Sequence, residues 1–140
     1  MAALSQQPGL RLAPGMLETI IAHAEAGFPD EVCGILAGKQ DQAIALHRGR
    51  NVSSTPRVAY ELDLDTLALQ IGFANDGMEL VGIYHSHPAG PEIPSATDIA
   101  QSYYPDAITI ICSLEDPSQP TLRAFRIVDG EISDVHLITP

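Results

Sequence analysis

A chain of 140 residues with 45% hydrophobic side chains can bury one sizeable core but not two, so 1–140 is expected to be a single domain with its core over about 10–138. A net charge of −11 with only seven Lys and Arg argues against nucleic-acid or anionic-membrane partners, which need basic patches to neutralise phosphates. No apolar run approaches the roughly 18 residues of a membrane helix, Met1–Gln7 has neither the basic start nor the apolar stretch of a signal peptide, and Cys33 and Cys112 form no CxxC pair, so a cytoplasmic protein with reduced thiols is expected.

In chain order, Pro14 suits a first helical position, and Leu17, Ile20, Ile21 and Ala24 follow at i, i+3, i+4 and i+7, predicting an amphipathic helix that ends near Gly27. Val32 to Gly38 is too short for a helix and is followed by a Lys-Gln-Asp turn and Gln42 to Leu46, which predicts a hairpin. Arg57 to Leu62 reads as a further strand. Asp63 then caps a second helix whose apolar face is Leu64, Leu67, Ala68 and Ile71, stopped by Asn75-Asp76-Gly77. Glu79 to Tyr84 is a buried strand, Ser95 opens a short helix running towards Tyr103, and Ala107 to Leu114 is a β-branched central strand. Thr121 to Val128 and Glu131 to Ile138 form a hairpin across Asp129-Gly130. The order predicts an α/β or α+β domain, a mixed sheet with helices on its faces.

The strand from Glu79 runs into His85-Ser86-His87-Pro88, followed by Ser95 and Asp98. Residues i and i+2 of a strand point to one side, so both imidazoles can share one ion while Ser86 points away. Asp98 is the natural third ligand. Three protein ligands with one open position characterise catalytic rather than structural zinc. A random chain of this length would contain the whole pattern with a probability on the order of 1 in 100,000, so the combination is specific although its parts are not. Ser95-Ala96-Thr97-Asp98 is also a capping box, with Ser95 as N-cap, and capping is compatible with a ligand role for Asp98. The prolines of the intervening loop reduce the entropy of holding His87 and Asp98 in one geometry, and Glu92 in that loop is expected to be solvated.

Hydrolysis by such a site needs a base, and with both histidines and Asp98 committed, Glu31 is the choice. It opens an apolar strand, where partial desolvation would raise its proton affinity; an acid at a strand end is otherwise an ordinary solvated residue. Cys33 shares strand parity with Glu31 but reads as a buried thiol, as does Cys112. His23, His47 and His136 lack partners at ligand spacing and read as surface or packing residues. Tyr84, Tyr103 and Tyr104 read as packing, and Asn51, Ser53 and Ser54 as turn chemistry that could also line a groove.

Glu31, then His85-x-His87-Pro88, six residues, and Ser95-x-x-Asp98 resemble the signature of the JAMM, or MPN-plus, zinc metalloproteases, and the element order agrees from about Leu10 to Ile138. The resemblance implies a cytidine-deaminase-like α/β/α sandwich with one zinc per chain on His85, His87 and Asp98. It further implies Glu31 as general base and proton donor, and Ser95 as donor to the tetrahedral oxyanion. Relatives of this family cut amide bonds at the flexible C-terminal tail of ubiquitin-like proteins, and small prokaryotic members resemble enzymes acting on sulfur carriers ending in Gly-Gly. A ubiquitin-like or sulfur-carrier protein is therefore the expected partner, its tail lying extended against a sheet edge; a homodimer stays open. The rival readings are a zinc amidohydrolase of small or cell-wall peptides and a non-catalytic MPN-type scaffold. A nucleoside deaminase fails for want of its His-x-Glu and Pro-Cys-x-x-Cys signature.

Overall fold

A computed structural model describes residues 9–140; Met1–Gln7, read above for targeting signals, lies outside the described residues. The elements are β1 (Gly9–Arg11), α1 (Met16–Gly27), β2 (Cys33–Lys39), β3 (Gln42–Arg48), α2 (Leu64–Ala68) with a 3-10 continuation over Leu69–Asp76, β4 (Glu79–His87), α3 (Ala96–Ala100), β5 (Ile108–Ser113), β6 (Thr121–Val128) and β7 (Glu131–Ile138). None of the described helices is long and apolar enough to cross a membrane.

The sheet runs β1-β3-β2-β4-β5-β6-β7 and closes through β1, which pairs with β7 along its length and with β3 at the one register Arg11↔Gln42. It is mixed: β4 is antiparallel to β2 and parallel to β5. Its middle strands bury both faces, which is why they read as nearly continuous apolar runs. On one face Leu36, Tyr84, Ile110 and Cys112 pack against Met16, Ile20 and Ala24 of α1. On the other, Cys33, Ile35 and Ala37 meet Leu62 and Phe73. Helices on both faces of a mixed sheet are the expected α/β arrangement, with the sheet curled until its margins join.

Within α1 the buried positions are Met16, Ile20 and Ala24, while Leu17 and Ile21 pack at the edge of the core. The last hairpin is as expected: Asp129 and Gly130 both have positive φ, at 52° and 80°, as a two-residue turn matched to strand twist requires. Two expectations fail. Arg57 to Leu62 is not a strand, since only Leu62 bridges Asn51, Ala59 N–H turns back to Thr55 O, and the Ala59 carbonyl and Glu61 N–H are taken by the Asn51 side chain. The apolar face after Asp63 is also wrong except at Leu67, which packs against the core: Leu64 and Ile71 are 81% and 82% exposed while Thr66 and Phe73 are buried. Leu64 is the first residue of the α-helical part, which turns Thr66 rather than Leu64 inward, and from Leu69 the 3-10 pitch of three residues per turn carries the 3.6-residue stripe away from the core at Ile71.

Asp63 does cap α2. Its carboxyl is held below the usual carboxylate range first by the backbone N–H of Arg50 at 2.8 Å, against the opposing effect of burial, and then by the hydroxyl and N–H of Thr66 at 2.8 and 3.1 Å. A folded-state pKa below the unfolded value gives stability that is full above about pH 4 and lost as pH falls through the folded value. Asp63→Ala should therefore cost about 1–2 kcal/mol at pH 7. In urea titrations against pH, the gap from the parent protein should narrow below about pH 4.

Gly34 lies against the ring of Tyr84, where a Cβ would overlap ring carbons. Tyr84 is fully buried and its hydroxyl sits 2.7 Å from His23 Nδ1, so the ring has no free space to retreat into. Gly34→Ala should destabilise by about 1–3 kcal/mol through overpacking, read as a melting temperature several degrees lower; an unchanged midpoint would show that the ring gives way freely.

Candidate active site

β4 continues past Tyr84 through His87 because β5 pairs with it as far as His87↔Ser113. His85 and His87 consequently share one side of the strand, with their Nε2 atoms 3.1 Å apart. Ser86, on the other side, is fully buried: its hydroxyl accepts from Val32 N–H at 2.8 Å and its own N–H donates to Val32 O at 3.0 Å. These two bonds tie the residue after Glu31 to the residue between the histidines.

Asp98 arrives from α3. The capping box is present: Ser95 Oγ accepts from Asp98 N–H at 3.1 Å, and Ser95 N–H donates to Asp98 Oδ2 at 2.9 Å. The same Oδ2 lies 3.2 Å from His85 Nε2 and 3.0 Å from His87 Nε2. The proline-bearing loop is pinned by His87 Nδ1 donating to Pro91 O at 2.7 Å and by Ser113 Oγ donating to Gly90 O at 2.7 Å. Glu92 bonds Thr121 and stands outside the cluster.

Glu31 precedes β2, is 6% exposed, and brings a carboxylate oxygen within 4.8 Å of ligand atoms on both histidines. The five residues singled out from sequence are thus brought to one place, with Ser95 at its exposed margin. Two overlapping trios share the histidines, and the tighter is His85, His87 and Asp98. Burial pushes Glu31 up to about 7, an effect reduced by His87 and reinforced by the Asp98 charge. Burial also works against charge on Asp98, but hydrogen bonds from His85 and His87 overcome it and hold the carboxyl well below the usual range. His85 is lowered by burial; His87 is raised, since the Asp98 carboxylate and Pro91 carbonyl outweigh its burial.

The donor set fits a divalent cation. Because Pro91 O can only accept, His87 Nδ1 carries a proton, and in the neutral ring Nε2 is a lone pair facing an aspartate oxygen and a second imidazole nitrogen. In the metal-free site a ring Nε2–H can donate to Asp98, but when both Nε2 atoms present lone pairs, the three acceptors, mutually 3.0–3.2 Å apart, repel unless a cation stands between them. The spacing is close to the ligand–ligand edge of about 3.3 Å for a tetrahedral ion with nitrogen and oxygen bonds near 2.05 Å. Glu31 Oε1 is buried with no hydrogen-bond partner among the described residues, which suits a carboxylate that serves a cation or its water.

Three residues shape this site in ways that sequence reasoning did not assign to them. Tyr60 stacks on His85 at 4.4 Å and 23°, covering a ring whose Nδ1 has no partner. Ser86 and Asn51 act through the hydrogen bonds of the Glu31 segment; the only signal for Ser86 was a hydroxyl in an otherwise apolar strand. Cys33 is fully buried, and burial first, with Asp63 and Glu31 nearby, pushes its thiol up to about 12, so it is no nucleophile. His23 bonds Tyr84, His47 stacks on Phe73 and His136 is exposed, all away from the cluster as expected. Beside His85 and Asp98 opens a cleft of about 710 Å³ whose walls include Ser53, Thr55, Tyr60, Leu64, Tyr103 and Thr109.

A curled mixed sheet that presents two histidines at the end of a central strand, met by an aspartate from the first turn of a short helix, marks the JAMM class of peptidases. Residues 13–128 match the prokaryotic homologs of the JAB domain, and the chain belongs to that family. It is 41% identical over 111 residues to a desampylase of Haloferax volcanii, covering 74% of this chain and 80% of the relative. A CysO-cysteine peptidase of Mycobacterium tuberculosis is 35% identical over 122 residues, covering 85% and 83%. A solution structure of a Desulfitobacterium hafniense protein superposes with a TM-score of 0.82 at 27% identity, over 94% of this chain and 92% of that one.

Proposed function

We propose that this chain is a zinc-dependent hydrolase of the amide or isopeptide bond at the C-terminal tail of a ubiquitin-like or sulfur-carrier protein. The observation that carries this reading is the triangle of His85 Nε2, His87 Nε2 and Asp98 Oδ2, 3.0–3.2 Å on each side, with the unpartnered Glu31 carboxylate next to it. The similarity to a desampylase and to a CysO-cysteine peptidase supports the choice of substrate class.

His85, His87 and Asp98 would hold one zinc ion, which when bound supplies Lewis acidity toward a carbonyl and brings the pKa of water to about 7. Glu31 accepts the proton of the attacking water and returns it to the leaving amine; a carboxyl titrating near neutrality serves in both directions. Ser95 uses an oxygen lone pair for the Asp98 N–H, which leaves its hydroxyl proton free for the oxyanion of the tetrahedral state. One such donor contributes about 3–4 kcal/mol, or roughly 100- to 1000-fold in rate. The tail reaches the cluster through the cleft beside His85; β4 itself is paired on both margins, to β2 and to β5, so an extended tail adds to another margin of the sheet, such as β3, which meets β1 only at Gln42.

Mass spectrometry of carrier proteins with a C-terminal cysteinyl adduct, before and after exposure to the zinc-loaded protein, tests the reading. The expected result is loss of the adduct mass from carriers, with short free peptides left intact. Cleavage of short peptides with carriers untouched would refute it in favour of a small-peptide amidohydrolase.

A further inference from the structure

Among the described residues the carboxylate assigned as base makes no side-chain bond that aims it, and its Oε1 is buried without a partner there. What fixes its direction is its backbone. The Glu31 N–H donates to Pro56 O at 2.7 Å, and the Glu31 carbonyl accepts from Asn51 Nδ2 at 2.9 Å. Both groups therefore end on the segment 51–61, a loop closed at its ends by the Asn51↔Leu62 bridge and the Val52 N–H to Glu61 O bond, whose middle carries no strand ladder.

Asn51 braces this loop. Its Nδ2 also donates to Ala59 O at 3.0 Å, with Pro56 O further off at 3.4 Å, and its Oδ1 accepts from the N–H groups of Ser53 at 3.0 Å and Glu61 at 3.1 Å. A primary amide has two N–H donors and two acceptor lone pairs, and here all four are used. The amide orientation is fixed by its surroundings, carbonyls on one side and N–H groups on the other. Aspartate has the shape but no donors, and glutamine is one methylene too long. The same segment carries Tyr60, which stacks on His85.

We infer that Asn51 is a positioning residue for the reaction: it holds the Glu31 backbone to the 51–61 segment and thereby aims the Glu31 carboxylate at the His85–His87–Asp98 cluster. The inference rests on reading Glu31 as the base. Asn51 touches none of the metal-holding atoms, so its loss should separate turnover from metal affinity.

The experiment compares Asn51→Asp, Glu31→Gln and the double variant, with Asn51→Ser as the uncharged substitute should Asn51→Asp fail to fold. Amide exchange at Glu31 is followed by NMR in the metal-free protein, zinc affinity by chelator competition, and kcat and KM on an adduct-bearing carrier. Expected for Asn51→Asp are Glu31 amide exchange at least tenfold faster, kcat down roughly 10- to 100-fold, and KM and zinc affinity each within threefold of the parent. Added to Glu31→Gln, the same change should cost no more than about twofold, because two residues acting through one group are not additive. Unchanged Glu31 exchange, independent multiplicative losses, or zinc affinity falling in step with kcat would each overturn the inference. If Glu31→Gln stayed active, the base assignment would fall, and Glu31 exchange alone would decide whether Asn51 anchors that backbone.

Discussion

Glu31→Gln is expected to bind zinc with an affinity close to that of the parent protein and to lose about 10²- to 10⁴-fold in kcat, the range of a well-placed general acid–base group. Glutamine preserves the volume of a side chain that is 6% exposed and keeps a carbonyl oxygen where Oε1 stands, so packing should survive. What disappears is the capacity to take a proton at neutral pH and return it. The parent carboxyl, pushed up to about 7 by burial, should give kcat/KM an acid limb, falling as pH drops and the base becomes protonated. That limb should vanish from the residual activity of Glu31→Gln. Chelator competition with pH-dependent kinetics on an adduct-bearing carrier makes the comparison, and near-normal turnover at pH 7 would remove Glu31 from the mechanism.

The parts of the site that were legible in sequence are those set by local geometry. Strand parity alone puts His85 and His87 on one side and Ser86 on the other, and the Ser95–Asp98 spacing is a capping box before it is anything else. Glu31 reaches the histidines only because β2 and β4 pair in the register Cys33↔His85, with Val32 and Ser86 exchanging bonds across 54 residues of sequence. Periodicity cannot show such a register; family resemblance supplied it. Asn51 looked like turn chemistry because its neighbours Ser53 and Ser54 are turn formers, and its four bonds reach from two to twenty residues away. The segment around Tyr60 was misread as a strand for the same reason, since alternation was visible and the competing side-chain amide was not. Likewise Ile71 looked like part of a core face because a 3.6-residue period was assumed where the chain tightens to three from Leu69, while Leu64 opens the helix on its exposed side.

Asp98 has two readings, helix cap and metal ligand, and Asp98→Asn separates them. Asparagine keeps an acceptor for Ser95 N–H and remains a good residue for a first helical turn, so the metal-free protein should lose no more than about 1 kcal/mol of stability. It removes the negative charge that faces both imidazoles at 3.0 and 3.2 Å and leaves there a neutral amide oxygen, a far weaker ligand than a carboxylate. Zinc affinity should then fall by more than about 100-fold, beyond what loss of an outer hydrogen-bond partner costs, with turnover lost alongside it. Asp98→Ala should lose both the cap and the metal. The stability of the metal-free variants by urea titration, set against zinc affinity by chelator competition, places each change on its own axis. A cap-only Asp98 would reverse the pattern, with Asp98→Asn retaining zinc and activity and Asp98→Ala merely melting earlier.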